Sequence, residues 1–368
     1  MSCSSGRLAR LRAACAAAGL DAFYVRDTSG IRWLTGFDGV FDAEHAHALL
    51  AMPESAVLHT DSRYAEAMRR AAGADGDAVE IDDARVTHAK FAARTCGDAK
   101  TLGIEDDIPL REFRQLEAAL SEAGAQVALR ETDGVVQKLR AVKDADEVAR
   151  MRAAQAITDA AFSHIIAFMK PGMTERAVQI ELDDFMRRHG AEGLAFATIM
   201  ATGANGASPH AVPGDTVLEA GQCVVMDFGA RARGYCSDMT RTVFLGAPTE
   251  RMRAAYEAIR QANEQVEALL APGVTGAQAH ELAERVLAEG GFAGRMGHAL
   301  GHGVGIDIHE EPVLAPRNGE PLVEGNVVTV EPGIYLPGEF GMRLEDFGVI
   351  TADGFDVFTK STHEMVIL

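Results

Sequence analysis

The segment HALGHGVGIDIHEEP (298–312) carries three histidines, His298, His302 and His309, separated by four and then by seven residues. The glycines among them allow the backbone to approach a ligand closely and to adopt conformations that other residues avoid. Their spacing does not match the helical HExxH zinc motif. We therefore expect one of these histidines to bind a metal ion and the others to line a substrate pocket.

An internal repeat in the carboxyl-terminal half supplies further candidate ligands. The sequence RMRAA begins at Arg150 and again at Arg251, an offset of 251 − 150 = 101 residues. The motif Pro-Gly-x-Thr recurs downstream at the same offset. In each copy the threonine is a natural N-cap for a second helix, and a glycine ends that helix. This order of helix, turn and helix predicts two copies of one structural unit.

The two copies continue into strands that end on acidic residues. LEAGQCVVMDFG aligns with LVEGNVVTVEPG, and each is followed by a return strand with a second acid. Each copy also has a histidine upstream, next to a proline-containing loop. Three pairs of residues therefore correspond between the copies: Asp227 with Glu331, Asp238 with Glu345, and His210 with His309.

Four carboxylates brought together by facing hairpins would repel one another, and their pKa values would rise. Because a buried carboxylate is costly unless it is paired or binds a cation, we expect two divalent ions about 3.5 Å apart. Carboxylates with a histidine suit Mn²⁺, Co²⁺, Fe²⁺ or Zn²⁺. Two such ions imply a hydroxide held between them, ready to attack a carbonyl or phosphoryl group. The alternative is that the acids form salt bridges with Arg241, Arg343 and their neighbours.

Five stretches of the chain resemble the signature blocks of the pita-bread metallopeptidases, family M24: FATIMATGANGASPHAVPGD, VVMDFGARARGYCSDMTRTV, HALGHGVGIDIHEEP, VTVEPGIY and RLEDFGVI. Within that family they are similar to the Xaa-Pro peptidases, prolidase and aminopeptidase P. GIRWLTGF (30–37) and HTDSRY (59–64) look like the family's amino-terminal domain, so the resemblance covers the whole chain. It implies a metal-dependent exopeptidase in which a metal-bridging hydroxide attacks the carbonyl between an amino-terminal residue and a following proline.

The resemblance also implies a role for each matching residue. Five residues would bind the two ions, with Asp238 and Glu345 bridging both: Asp227, Asp238, His302, Glu331 and Glu345. His210 and His309 would hold the substrate carbonyl and stabilise the tetrahedral intermediate, and Glu331 would pass a proton from the bridging water to the leaving proline nitrogen. His298 and Arg343 would orient the ligands, although a purely structural ion pair is equally compatible with Arg343. The ions would be Mn²⁺ or Co²⁺, with Zn²⁺ or Fe²⁺ as alternatives.

The chain is predicted to be an α/β (α+β) protein of two domains. Residues 1–133 alternate strand and helix patterns, which predicts an α/β layer domain. Residues 134–368 would form the duplicated pita-bread catalytic domain that the resemblance implies. Near its start, one long charged helix is expected from Gln137 to Met169.

Charge and cysteine content disfavour several classes of partner. With 35 basic and 54 acidic side chains the net charge is −19, which disfavours nucleic acid and anionic membranes as partners. No stretch of about 18 uncharged apolar residues occurs, so no membrane span is expected. Five cysteines without a CxxC pair predict a reduced, cytoplasmic setting. We expect a homodimer that acts on peptides with proline at the second position.

Alternative functions are a methionine aminopeptidase, which resembles the carboxyl-terminal half alone, and a non-catalytic binding protein with the same fold. The amino-terminal domain and the pair His210 and His309 favour the Xaa-Pro branch. A binding protein would be expected to have lost ligands, and creatinase shares the two-domain plan without them. The sequence does not separate a dipeptidase from an aminopeptidase that acts on longer peptides.

Overall fold

Short apolar runs in the amino-terminal part of the chain form the strands of one sheet. The structure, a computed structural model, describes residues 3–42, 44–74 and 78–368. The strands of the first part are β1 (Ala22–Val25), β2 (Ala48–Ala51), β3 (Ala56–His59), β4 (Glu80–Asp82), β5 (Thr101–Ile104) and β6 (Ala128–Glu131). Its helices are α1 (Cys3–Ala17), α2 (Thr28–Thr35), α3 (Ala65–Ala74), α4 (His88–Thr95), α5 (Leu110–Glu122) and α6 (Val135–Ala141). Strands β1, β2 and β3 are buried throughout, which is typical of a sheet covered on both faces.

The order of the strands in this sheet is β4-β3-β2-β1-β5-β6. Strand β2 is antiparallel to both of its neighbours, whereas the pairs β1–β5, β5–β6 and β3–β4 are parallel. Consequently β1, β3, β4 and β5 run in the same direction, and their carboxyl ends lie at one edge of the sheet. The predicted α/β layer domain is confirmed.

Helix α6 packs with this first unit. The Nη1 atom of Arg140 lies 3.2 Å from Asp27 Oδ2, and Arg10 Nη2 donates to the carbonyl of Leu139 at 2.7 Å. The chain accordingly divides into compact units after Arg140, whereas the sequence pattern places the boundary just before α6, at residues 133/134.

The predicted single helix from Gln137 to Met169 is wrong. It consists of α6 and a separate helix, α7 (Ala145–Phe168), with an isolated β-bridge between Val142 and Asn326 in the interruption. Asp144 is the N-cap of α7, and its carboxylate accepts a hydrogen bond from the Glu147 backbone N–H at 2.9 Å. In return, the Glu147 carboxylate accepts a hydrogen bond from the Asp144 backbone N–H at 2.9 Å. This capping box satisfies two N–H groups that a continuous helix would bond internally.

The second unit contains the duplicated motif that the repeat predicts. Its further helices are α8 (Glu175–Arg188), α9 (Glu250–Leu269) and α10 (Gly276–Glu289), with a 3₁₀ helix at Gly203–Ala207. Thr174 and Thr275 cap α8 and α10, each accepting from a backbone N–H three residues later. The pairs α7–α8 and α9–α10 are therefore equivalent, and each covers its own apolar core.

The strands of the second unit repeat in the same way. They are β7 (Gly193–Leu194), β8 (Ile199–Thr202), β9 (Cys223–Phe228), β10 (Ala230–Ala232), β11 (Tyr235–Cys236), β12 (Met239–Phe244), β13 (Gly301–Gly303), β14 (Glu310–Leu314), β15 (Val327–Val330), β16 (Gly333–Leu336), β17 (Phe340–Arg343), β18 (Asp346–Thr351), β19 (Gly354–Val357) and β20 (Val366–Ile367). One sheet has the order β20-β12-β9-β8 and another the order β14-β13-β15-β18-β19. The antiparallel set β12-β9-β8 corresponds to β18-β15-β13, which confirms the duplication.

Two observations bear on the expected setting of the chain. In the described ranges, no helix is long and apolar enough to cross a membrane. Cys15, Cys96, Cys223 and Cys236 are buried free thiols, and the side chain of Cys3 lies outside the described part of the chain.

Candidate metal centre and substrate cavity

One cavity of 560 Å³ in the second unit brings together all the catalytic, substrate-binding and metal-binding residues that the sequence predicts. Its wall contains His210, Asp227, Asp238, His298, His302, His309, Glu331, Arg343 and Glu345. Apolar side chains, among them Phe196, Ile199 and Val212, form another part of the wall. A cavity with converging polar groups on one side and apolar groups on the other is suited to a small organic ligand.

The duplicated hairpins place the four acids in equivalent positions. Asp227 lies near the end of β9, and Glu331 directly follows β15. Asp238 directly precedes β12, the partner of β9, and Glu345 directly precedes β18, the partner of β15. Because each acid stands at the same end of its hairpin, the two hairpins present four carboxylates to one cavity.

Burial and mutual repulsion raise the pKa values of three of these acids. The pKa of Glu331 is raised to about 8, mainly by burial and then by the charge of Asp227. Burial is also the largest cause for Asp238 and Glu345, whose pKa values lie well above their ordinary range, and neighbouring carboxylates are the next. Without a cation, these acids would retain protons near neutral pH, so the cluster favours a bound positive charge.

The geometry of His302 supports the same conclusion. Its Nδ1 lies 3.0 Å from the Gly303 carbonyl, which can only accept, so Nδ1 carries the proton of the neutral ring. Burial lowers the pKa of His302 to about 4, which keeps the ring neutral. The unprotonated Nε2 then faces Glu331 Oε1 at 3.5 Å and Asp238 Oδ2 at 3.6 Å. A lone pair directed at two carboxylates is unfavourable unless a proton or a cation lies between them.

The donor set therefore fits a divalent metal ion. Ligand atoms of Asp238, His302 and Glu345 all lie within 4.8 Å of one another. In addition, the buried Oδ1 atom of Asp227 has no hydrogen-bond partner within the described ranges. Carboxylate oxygens with one imidazole nitrogen are suited to Mn²⁺, Co²⁺, Fe²⁺ or Zn²⁺.

Arginine pairing accounts for only part of the acidic cluster. Arg343 donates from Nη2 to Asp227 Oδ2 at 2.5 Å, and its Nε lies 4.0 Å from Glu331 Oε2. The other candidate, Arg241, forms its ion pair with Asp346, at 2.7 Å, outside the set of predicted ligands. Salt bridges therefore do not replace a cation at Asp238 and Glu345.

A relay of hydrogen bonds connects Arg343 to His298. Arg343 Nη1 donates to the Tyr335 hydroxyl at 2.7 Å, and that hydroxyl lies 3.0 Å from His298 Nε2. His298 Nδ1 lies 2.6 Å from the Ala299 carbonyl, so Nδ1 holds the ring proton and Nε2 accepts from Tyr335. This relay fixes the orientation of both side chains at the cavity wall.

His210 and His309 differ from His302 in exposure. Both are exposed within the cavity, and the rings of His309 and His302 lie 4.4 Å apart in an edge-to-face arrangement. His210 lies in the loop between β8 and β9, and His309 lies between β13 and β14, directly before β14. Exposed imidazoles beside the acids are placed to contact a ligand in the cavity.

Two threonines and a tyrosine at the site were not identified from the sequence. Thr240 donates to Glu345 Oε2 at 2.6 Å and accepts from Arg343 Nε at 2.9 Å. Thr329 donates to Glu331 Oε1 at 3.3 Å and accepts from the His302 backbone at 3.0 Å. Alternation along each strand could have placed Thr240 and Thr329 near the acids, whereas no sequence signal marked Tyr335.

Known families match nearly the whole chain. A model of "Metallopeptidase family M24" matches residues 149–352, and one of the "Creatinase/Prolidase N-terminal domain" matches residues 7–142. The chain is 36% identical to an uncharacterized peptidase, YqhT, of Bacillus subtilis, over 98% of this chain and 100% of that protein.

Solved structures show the same similarity. An Xaa-Pro dipeptidase from Bacillus anthracis superposes with a TM-score of 0.91 at 35% identity, covering 99% of this chain and 100% of that one. An X-Pro aminopeptidase from Thermotoga maritima superposes with a TM-score of 0.83 at 32% identity, covering 95% of this chain and 98% of that one. The chain therefore belongs to metallopeptidase family M24, as its signature blocks predict.

Proposed function

We propose that this protein is a metal-dependent Xaa-Pro peptidase, which hydrolyses the bond between an amino-terminal residue and a following proline. The observation that carries the proposal is the convergence of four carboxylates and four histidines on one cavity. Two similar solved structures bear names of Xaa-Pro peptidases, one a dipeptidase and the other an aminopeptidase. Both similarities extend over both units of the chain, which disfavours a methionine aminopeptidase.

The proposed ligands are Asp227, Asp238, His302, Glu331 and Glu345, with Asp238 and Glu345 shared between two divalent ions. Two ions are supported by the charge of the site, since four carboxylates face one close arginine. When bound, the ions would supply a water that is deprotonated near neutral pH and would polarise the scissile carbonyl. Mn²⁺ or Co²⁺ is proposed, with Zn²⁺ or Fe²⁺ as alternatives. Metal analysis should give close to two ions per chain, and clearly fewer than one would contradict the proposal.

The remaining side chains act on the substrate and on protons. His210 and His309, exposed in the cavity, would donate to the substrate carbonyl and to the oxyanion that develops from it. Glu331 would take a proton from the attacking water and deliver it to the proline nitrogen, which carries no hydrogen in the peptide and cannot leave unprotonated. Arg343 would orient Asp227. The hydrogen bonds that join Arg343 to His298 through the Tyr335 hydroxyl would hold both side chains in place.

Hydrolysis of Ala-Pro, Ala-Pro-Ala and Ala-Ala by the protein reconstituted with Mn²⁺ tests the substrate class. We expect cleavage of at least one proline peptide, little cleavage of Ala-Ala, and a large loss of activity in Glu331→Gln. Cleavage of Ala-Pro alone would identify a dipeptidase, and cleavage of Ala-Pro-Ala an aminopeptidase. Equal cleavage of Ala-Ala and the proline peptides, or no cleavage of any, would refute the proposal.

The setting of the enzyme is part of the same proposal. The buried free thiols support a reducing compartment, the cytoplasm. A homodimer is proposed as well, and sedimentation equilibrium should give twice the mass of the 39.2 kDa chain.

A further inference from the structure

A second cavity, of 850 Å³, lies wholly within the amino-terminal unit. Its wall includes Arg26, which directly follows β1, and Thr60, which directly follows β3. Asp83, directly after β4, and Arg111 on α5 also belong to the wall. The cavity therefore opens at the carboxyl ends of strands that run in the same direction. In open α/β sheets, ligands characteristically bind in the crevice outside these ends.

The arginines of this cavity have unused hydrogen-bonding capacity. Arg26 is only 7% exposed; its Nε donates to Glu112 Oε2 at 2.7 Å and its Nη2 to the His45 carbonyl at 3.2 Å. Its buried Nη1 has no partner in the part of the chain that the structure describes. Such a group costs free energy unless water or a ligand accepts from it.

Two further arginines, Arg85 and Arg111, are exposed on the wall without an ion-pair partner among the described residues. The acids of the wall, by contrast, are already engaged by arginines: Asp61 and Glu44 by Arg63, Asp83 by Arg69, and Glu112 by Arg26. In a chain with a net charge of −19, three arginines with free donors around one crevice favour an anionic group.

A pair of histidines adds a hydrogen-bond acceptor. His59 Nε2 lies 3.1 Å from the Ala84 carbonyl, so Nε2 must donate. With both rings neutral, His59 Nδ1 then accepts, and His88 Nδ1, 2.7 Å away, donates to it. His88 Nε2 is left with a lone pair and no partner within the described ranges. Burial lowers the pKa of His88 to about 3, which keeps its ring neutral.

We propose that the amino-terminal unit binds a small zwitterion, an amino acid or short peptide, whose carboxylate is held by Arg26, Arg85 and Arg111 while its amino group donates to His88. The volume of 850 Å³ lies within the range of about 300–1,000 Å³ that is typical of small-molecule sites. All of the residues that line this cavity belong to the amino-terminal unit, and the proposal does not depend on peptidase activity.

Calorimetric titration of the full-length, metal-free protein with L-proline, acetate and inorganic phosphate tests the proposal. We expect L-proline to bind with the lowest Kd, because only it offers both a carboxylate and a donor. Arg85→Ala and Arg111→Ala should each weaken its binding about tenfold, the usual effect of losing a charge-assisted hydrogen bond. Arg114→Ala is the matched control, since Arg114 is exposed on the same helix α5 and lies outside the cavity wall.

Ring nitrogen shifts of ¹⁵N-labelled histidine provide a second measurement, in which L-proline should perturb His88. Two results would overturn the proposal: no saturable binding of L-proline, or binding that both arginine variants leave unchanged. Tighter binding of phosphate or acetate than of L-proline would refute the assigned amino-group contact. All these outcomes are independent of whether Xaa-Pro peptides are cleaved.

Discussion

Replacing Thr240 with valine tests how the proposed metal ligands are held. The Thr240 hydroxyl donates to Glu345 Oε2 at 2.6 Å and accepts from Arg343 Nε at 2.9 Å. All three side chains are buried, so water cannot replace the hydroxyl. Valine preserves the shape of threonine and removes only these two bonds.

The size of the effect follows from the groups left without partners. A buried donor or acceptor that loses its partner costs about 1–3 kcal/mol, and more when it is charged. Because Thr240→Val removes a partner from one carboxyl group and from one guanidinium, we expect a loss of about 2–6 kcal/mol of unfolding free energy in the metal-free protein. A misoriented Glu345 should also weaken metal binding by roughly 10–100-fold, the usual effect of losing an outer partner of a ligand.

Thr242 provides a matched control on the same strand and the same face. Its hydroxyl donates to the Arg343 carbonyl at 3.0 Å and accepts from the Arg343 backbone N–H at 3.1 Å, so it does not contact a proposed ligand. Thr242→Val should lower the melting temperature but leave metal affinity within a few-fold of wild type, and Thr240→Ser should restore affinity. Competition titrations with a chelator measure this difference. Equal loss of metal affinity in both valine variants would refute the reasoning.

Three further predictions concern other parts of the molecule. His302→Ala should lose metal, whereas His309→Ala should keep it and lose about 10²–10³ in kcat; equal metal loss in both, measured by titration, would contradict this division. Burial raises the pKa of Glu105 to about 7, so its stabilising contribution is present below pH 4.5 and is lost as the pH rises through 7. In chemical unfolding experiments, the unfolding free energy of the wild type should therefore decrease by about 3 kcal/mol between pH 5 and 8, and that of Glu105→Gln should not. Parallel pH profiles of the two proteins would contradict this prediction. Asp144→Ala should cost about 1 kcal/mol by removing the cap of α7, with exposed Asp146→Ala as the control in the same unfolding assay.

The acidic cluster could be predicted because both copies of the internal repeat contain the same pair of acidic positions. Asp227 and Glu331 stand at equivalent places in two aligned strands, and Asp238 and Glu345 directly precede the two return strands. An acid that ends a buried apolar strand is unusual, and a repeat of the same feature makes a chance occurrence unlikely. Local sequence and duplication were therefore sufficient to assemble the set of acids.

The hydroxyl groups that support the acids could not be identified in this way. Thr240 bonds to Glu345 and Arg343 from more than a hundred residues away, and threonine is common in strands for reasons unrelated to ligands. The wrong prediction of one helix from Gln137 to Met169 has a different cause, because the sequence does contain a signal for the start of α7. Asp144 followed by Glu147 is a capping box, but the good helix formers on both sides obscured it.

The single histidine among the proposed ligands follows from the register of the strands. Thr202 pairs with Val224 in the first copy, and Gly303 pairs with Val328 in the second. Since Asp227 corresponds to Glu331, Val224 corresponds to Val328, so Thr202 takes the place of Gly303. The residue equivalent to His302 is then Ala201, whose methyl group cannot bind a metal ion. The duplication therefore supplies its carboxylates in pairs but its imidazole only once, and the two halves of the proposed centre differ at this strand position.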